Sequence, residues 1–207
     1  MKLKLWAGAA GLALCLLVQP AMAGDFEDLE NGLTAAQTGD YQTAFKLWKP
    51  LAEKGNALAQ FNLGIMYNDG KGVPQDYVKA VIWYLSAAEQ GVAFAQYSLG
   101  LMYLEGKGVR RDYAEASKWF RKAADQGNAD AQVRLGGMCA DGKGVPQDYV
   151  QSHMWLNLAA SRYPASDKEN RDIAVKYRDI VAARMTSAQI AEAQKLAREW
   201  KPTQEMK

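Results

Sequence analysis

Apolar residues recur along most of this chain at the three- and four-residue spacing of amphipathic helices. The clearest stretch begins at Ala57, where small and apolar residues share one helical face: Ala59, Leu63, Met66 and Tyr67. Gly70 predicts the end of this helix, because glycine readily takes the left-handed conformation after a last turn. After a glycine-rich loop, Asp76 is placed to cap a second helix running from Tyr77 to about Gln90. The pattern therefore predicts a helical hairpin of a first helix (helix A), a loop and a second helix (helix B).

Helix B of this hairpin carries apolar residues over a wide part of its circumference. They are Tyr77, Ala80, Val81, Trp83, Tyr84, Ala87 and Ala88. We therefore expect this helix to be buried on both sides. Four small residues should let neighbouring helices approach closely, with Trp83 filling the gap beside them: Ala59, Gly64, Ala80 and Ala88.

The hairpin pattern returns with a period of 36 residues. When residues 55–90 are aligned on residues 91–126, 19 of 36 positions are identical, and a third copy begins at Gly127. A period of this length is the mark of stacked supersecondary units. The copies divide the chain into repeats at residues 55–90, 91–126 and 127–163.

The segments on either side of these repeats predict capping helices, which a stack of repeats needs at its ends. Residues 24–54 form a degenerate first repeat, with Phe26, Leu29, Leu33 and Ala36 on one helical face. Residues 164–201 predict two more helices. The apolar face of the first helix consists of Ile173, Tyr177, Ile180 and Val181. The second helix begins with a capping box of Thr186 and Gln189. Its apolar face consists of Ile190, Ala193, Ala197 and Trp200. We expect this last helix to close the stack and the tail 202–207 to be disordered.

The recurring residues form one long motif, complete from Ala57 to Gly91: A-x-A-x-x-x-L-G-x-x-Y-x-x-G-x-G-V-x-x-D-x-x-x-A-x-x-W-x-x-x-A-A-x-x-G. This motif resembles the Sel-1-like repeat, a relative of the tetratricopeptide repeat, and the resemblance covers roughly residues 25–163. The third copy departs from it at Cys139 and Ser152. The resemblance implies an all-α fold, an α/α solenoid of stacked helix-turn-helix repeats forming a TPR-like superhelix. It also implies a protein-binding role, with helix A lining the concave surface.

The first 23 residues resemble a cleavable export signal. Lys2 and Lys4 precede an apolar run from Leu5 to Val18, and Ala21-Met22-Ala23 offers small residues to a signal peptidase. We predict cleavage after Ala23 and a periplasmic or secreted protein. A membrane anchor and a lipid attachment at Cys15 are the less favoured alternatives, since the run is short for a span and Leu14 is bulky.

Cleavage would change the charge of the chain. Lys plus Arg falls from 25 to 23 and equals the 23 Asp plus Glu, so the mature protein has no formal net charge. Nucleic acids and anionic membrane surfaces both select a positive excess, which argues against either partner. Neither a cofactor nor a membrane insertion of the mature chain is expected.

Few residues could carry catalysis. His153 lies on a helix with no recognisable triad or metal motif around it, and Cys139 takes the place of a repeat tyrosine, where we expect a buried small side chain rather than a reactive thiol. The G-K-G-V loops lack the ending of a phosphate-binding loop, and turn formation explains them. A cysteine-rich branch of the resembled family is linked to β-lactam binding, but its cysteines and an S-x-x-K motif are missing here. We predict that the protein is not an enzyme; the alternative is a cell-envelope hydrolase acting on β-lactams or peptidoglycan.

Helix A positions that differ between copies are the candidates for partner contact. They are Leu58, Phe61, Asn62, Ile65 and Asn68 in the first copy, Phe94, Tyr97, Ser98, Leu101 and Leu104 in the second, and Asp130, Val133, Arg134 and Gly137 in the third. From these we predict a partner-binding set of Leu58, Phe61, Asn62, Ile65, Phe94, Tyr97, Ser98, Leu101 and Arg134. The set suits an extended peptide or a helix with an apolar face and an acidic group near Arg134. The alternative is that these side chains pack between adjacent helices.

Overall fold

The computed structural model describes residues 20–203, and within that range the regular structure is entirely helical. Ten helices follow one another: α1 (Pro20–Gln37), α2 (Tyr41–Glu53), α3 (Ala57–Asp69), α4 (Tyr77–Glu89), α5 (Ala93–Glu105), α6 (Tyr113–Asp125), α7 (Ala129–Asp141), α8 (Tyr149–Arg162), α9 (Lys168–Ala182) and α10 (Ser187–Glu199). The predicted all-α repeat fold is confirmed. Most of the predicted signal segment lies outside the described residues, and α1 runs through the predicted cleavage site.

The helix ends are set by the side chains that the sequence pattern singled out. Gly70 takes the left-handed conformation, with φ 68° and ψ 31°, and its N–H donates to the carbonyl of Met66. The Asp76 carboxylate accepts a hydrogen bond from the N–H of Lys79 at 3.0 Å, which caps α4. At α10, Thr186 and Gln189 form the predicted capping box. These local predictions are confirmed.

The described chain divides into two compact units, one up to Gln90 and one from Gly91 onward. In the first unit α1 to α4 pack in chain order, each against the next. The core of this unit centres on Trp48, which is fully buried and whose indole N–H donates to the carbonyl of Leu29 at 3.2 Å. Trp83 is half-buried at the edge of the same core.

Glycines on the first helix of each hairpin in this unit let a large side chain lie directly on the backbone. A Cβ built on Gly32 would come within 2.2 Å of the Trp48 ring, and one on Gly64 within 2.4 Å of the Tyr84 ring. The predicted close approach at Gly64 is therefore confirmed. The prediction that Trp83 fills the gap is wrong, because Tyr84 lies one residue further round α4 and faces α3 directly.

The expectation that α4 is buried on both sides is also wrong. Ala80, Tyr84 and Ala87 are buried, but Val78 and Ile82 are more than half exposed. The seven apolar residues that suggested two buried faces all fall within one broad arc of the helix. Val78 and Ile82 project outside that arc into solvent.

The second unit continues the alternating pattern through α5 to α8, and α9 and α10 both pack against α8. Gly100 and Gly136 repeat the glycine contact of the first unit, with Phe120 and Leu156 as the side chains that lie on them. The loop after α7 packs tightly on an earlier helix, since a Cβ on Gly144 would lie 2.1 Å from the carbonyl oxygen of Tyr113. At the end of this unit, the N–H of Thr203 donates to the carbonyl of Asp125 at 2.8 Å. The expected disorder of the tail is thus wrong for Thr203, and residues 204–207 lie outside the described chain.

Two of the predicted apolar faces differ from expectation. On α9 the buried residues are Ala174 and Val181, whereas Ile173, Tyr177 and Ile180 are exposed because α10 returns to α8 and does not cover them. On α1, Leu29 and Ala36 are buried but Phe26 is 62% exposed. The predicted closing of the stack by α10 is therefore incomplete, since α9 keeps an uncovered apolar stripe.

Candidate partner-binding surface

The helix A positions of the first unit are mostly buried. Phe61, Asn62 and Ile65 are at most 5% exposed, and the Phe61 ring packs on Tyr84 with centroids 6.0 Å apart. This burial agrees with the packing alternative for these three residues. Leu58 is 43% exposed and is the member of the predicted set that this unit offers to a partner.

The second unit presents more of the predicted set. Tyr97 and Ser98 are buried, with the Tyr97 ring 5.7 Å from that of Phe120, so they also agree with the packing alternative. Phe94 is 36% exposed, Leu101 is half-buried and Arg134 is exposed. The surface of α5 and α7 therefore combines an accessible aromatic ring, an aliphatic side chain and a cation.

Arg134 is exposed on α7, with Asp130 and the Tyr97 hydroxyl near its guanidinium. Asp130 lies one turn earlier on α7, but its carboxylate accepts a hydrogen bond from the Tyr163 hydroxyl at 2.8 Å. Within the described chain, Arg134 makes no ion pair. Burial raises the pKa of the Tyr97 hydroxyl and Asp130 raises it further, whereas the charge of Arg134 and its side-chain hydrogen bond to that hydroxyl lower it. A guanidinium has five N–H donors, so Arg134 can still offer donors to a carboxylate supplied from outside.

Tyr163 is a contributor that the sequence pattern did not reveal. Its pKa is raised by burial and by the Asp130 carboxylate that it hydrogen-bonds. It stands at the last position of the third copy, where the earlier copies have Gly91 and Gly127, and periodicity alone does not say what a side chain at that position contacts. The pairing with Asp130 becomes visible only once α7 and the end of α8 are brought together.

A glutamine pair in each of the repeats 55–90 and 91–126 joins helix ends without taking part in this surface. In the second unit Gln126 donates to the Gly91 carbonyl and to the Gln96 side-chain oxygen, both at 2.9 Å, and Gln132 donates to Ala124 at 3.1 Å. Gln60 and Gln90 make the same contacts in the first unit. The recurrence of these glutamines at fixed positions is visible in the sequence. The hydrogen bonds that join the helix ends explain it.

The residues considered for catalysis are buried. His153 is 4% exposed, and burial together with the charge of Arg178 lowers its pKa. Cys139 is buried, which raises the pKa of its thiol and disfavours the reactive thiolate. Among residues 20–203 no cluster of three or more potential metal-ligating side chains occurs. In the same part of the chain, the helices are too short or too polar to cross a membrane.

Comparison with known proteins agrees with the repeat pattern. The Sel1 repeat family model matches residues 24–56, 57–92, 93–128 and 129–163, so the resemblance inferred from the motif is confirmed. A crystal structure of a Sel1 repeat protein from Oxalobacter formigenes is similar over 82% of this chain and 74% of its own, with a TM-score of 0.64 and 31% identity. The structure of c5321, a protective antigen of uropathogenic Escherichia coli strains displaying an SLR fold, is similar over 87% of this chain and 46% of its own, with a TM-score of 0.51 and 28% identity.

Curated relatives match a shorter stretch. The DAP3-binding cell death enhancer 1 of Rattus norvegicus is 39% identical over 62 residues, 30% of this chain, and the protein of that name from Mus musculus is 38% identical over 50 residues, 24% of this chain. The chain matches only about a tenth of the length of these relatives, 11% and 10% respectively.

Proposed function

Because this chain belongs to the Sel1 repeat family, whose members are generally protein–protein interaction modules and typically non-enzymatic scaffolds, we propose that it is an exported adaptor that binds a peptide or protein partner. The observation that carries the proposal is the α5–α7 surface of the second unit. It offers Phe94, Leu101 and Arg134 at positions where the repeats differ. The relatives from rat and mouse are themselves named for binding another protein.

The partner suited to this surface is a segment with an apolar side chain and a carboxylate. Phe94 and Leu101 lie two turns apart on α5 and provide apolar contact, and the exposed Arg134 provides a cation for an ion pair with the partner. Pairing a cation with a partner's carboxylate favours correct encounters more than it adds raw affinity. The apolar contacts then supply most of the binding free energy.

The test is affinity capture from cell-envelope extract followed by measurement of the dissociation constant for the captured partner. We expect Phe94→Ala and Arg134→Ala each to weaken binding about ten-fold or more, the effect of a hot-spot side chain. Lys195→Ala removes an equally exposed cation from α10 and serves as the matched control. If Arg134→Ala and Lys195→Ala bind the partner alike, the α5–α7 surface is not the binding site.

Export and the absence of catalysis have their own tests. Amino-terminal sequencing of the protein isolated from the periplasm or medium should give Gly24 as the first residue. Any turnover of β-lactam or peptidoglycan substrates by the purified protein would support the hydrolase alternative and contradict the adaptor role.

A further inference from the structure

Two helices of this chain expose apolar side chains on faces that carry opposite charge. The first, called the α1 face, consists of Phe26 with Glu27 and Glu30; Glu30 lies one turn from the exposed ring of Phe26. The second, called the α9 face, consists of Ile173, Tyr177 and Ile180 with Lys176 and Arg184 beside them. Tyr177 is 51% exposed, and the two isoleucines are also exposed.

The uncovered stripe on α9 follows from the packing of the repeat. In a stack of helical hairpins the apolar face of each hairpin is covered by the next one along the chain. α9 packs on α8 as the first helix of a further hairpin would, but α10 returns to α8 and leaves the outer stripe open. The stripe therefore has the character of a surface that another helical hairpin would cover.

The charges indicate which hairpin that is. Between Gly24 and Phe45 the sequence has five acidic residues and no Lys or Arg, whereas residues 168–201 have eight basic residues against five acidic ones. On the α9 face, Asp172 and Asp179 are paired with Lys168 and Arg178, and among residues 20–203 Lys176 and Arg184 make no ion pair. On α1, Asp25 pairs with Lys54, while in the described chain Glu27 and Glu30 make none. Unpaired acids on one apolar face thus match unpaired bases on the other.

We propose that the α1 face of one copy docks on the α9 face of a second copy, in a head-to-tail contact. This surface is separate from the α5–α7 surface and does not depend on the partner proposed there. The contact is heterologous, so a pair of copies joined by one contact still has one α1 face and one α9 face to which further copies can add as the concentration rises. The apolar area is small compared with a stable dimer interface, so the association is weak and reversible. Because its charges are exposed, it is weakened by salt.

The wild-type protein, purified from the cells that produce it, is studied by sedimentation velocity over a range of concentrations. We expect the mean mass to rise with concentration in about 50 mM salt and to fall toward the monomer in about 500 mM salt. A protein that stays monomeric at every concentration in low salt overturns the proposal. This arm uses no substitution, so it does not depend on the folding of a variant.

Two variants test the direction of the contact. Phe26→Ser with Glu30→Lys removes the α1 face, and Tyr177→Ser with Lys176→Glu removes the α9 face. Each variant alone should raise the dissociation constant for self-association at least ten-fold, yet an equimolar mixture should form a dimer and nothing larger, since only one pair of intact faces remains. If the variant lacking the α1 face still associates alone, the contact is not head-to-tail and the proposal fails.

A matched control removes exposed apolar side chains elsewhere. Val78→Ser with Ile82→Ser takes two more-than-half-exposed residues from α4, and its self-association should equal that of the wild type. Equal weakening by this control would assign the association to general surface hydrophobicity and overturn the proposal. Circular dichroism of each variant confirms that its helices are retained.

Discussion

The N-cap of α5 is the weakest of the equivalent helix starts, and the substitution Val92→Asn tests why. Asn56 and Asn128 cap α3 and α7 by accepting the N–H of Ala59 at 2.9 Å and of Ala131 at 2.8 Å. At the corresponding place α5 has Val92, which makes no side-chain cap. Its backbone, φ −65° and ψ 106°, nearly equals that of Asn128, φ −65° and ψ 111°, so an asparagine side chain at this position would reach the first turn of α5 without rearrangement.

The magnitude follows from two opposing terms. A capping side chain contributes about 1 kcal/mol over alanine. Val92 is half-buried, so its removal also loses part of the roughly 1.5–3 kcal/mol that full burial of such a side chain gives. Val92→Ala loses that packing and gains no cap, whereas Val92→Asn loses it and gains the cap. The Asn variant should therefore be more stable than the Ala variant by about 1 kcal/mol.

The assay is urea unfolding followed by both circular dichroism and tryptophan fluorescence, because two compact units could unfold separately. With m-values of about 1–3 kcal/mol/M in urea, a difference of about 1 kcal/mol corresponds to a midpoint shift of roughly 0.3–1 M. Asn128→Ala calibrates the method and should lose about 1 kcal/mol. Should Asn128→Ala lose that amount while Val92→Asn and Val92→Ala prove equally stable, the capping argument for α5 is refuted.

Three further predictions concern single side chains. Gly144→Ala should destabilise the protein by several kcal/mol, because the φ of Gly144 is 71° and the new methyl would overlap the Tyr113 carbonyl. Gly137→Ala, in open space on α7, should stabilise the protein by about 0.5–1 kcal/mol. Urea midpoints of the two variants test both expectations. His153 faces Arg178 and Asp179 on α9, and its pKa is lowered in the folded protein, so the unfolded chain binds the proton more readily. The contribution of neutral His153 to stability is fully present above the unfolded pKa of about 6.5 and is lost as the pH falls through the folded pKa. Urea midpoints at stepped pH should show a smaller acid loss in His153→Gln, and an unchanged loss would contradict the assignment. The Cys139 thiol should resist alkylation in the native protein and react once urea unfolds it, and rapid native labelling would show that its burial does not protect it.

Local features of the repeat could be predicted because each depends on residues close in sequence. The helix end at Gly70, the cap at Asp76 and the capping box at Thr186 all rest on contacts within a few residues. Which residue fills the space beside Gly64 depends on the rotation of one helix against another. A shift of one position, from Trp83 to Tyr84, is beyond what periodicity resolves.

The partner-binding set was harder to predict for a similar reason. Variation between copies marks positions that are not part of the framework, but it does not separate exposed positions from packed ones. Phe61, Tyr97 and Val133 differ at one position of the repeat, yet the two aromatic rings pack against helix B, on Tyr84 and Phe120. The exposed stripe on α9 could not be foreseen at all, because it results from α10 packing on α8.

The glycines facing Trp48, Tyr84, Phe120 and Leu156 have a consequence for how such a chain can change. In every hairpin the ring or branched side chain lies against bare backbone, and its size differs from one hairpin to the next. The contact therefore keeps the two helices of a hairpin close whichever of these side chains makes it. The exposed positions of helix A lie outside this contact, so they can diversify toward new partners while the hairpin keeps its packing.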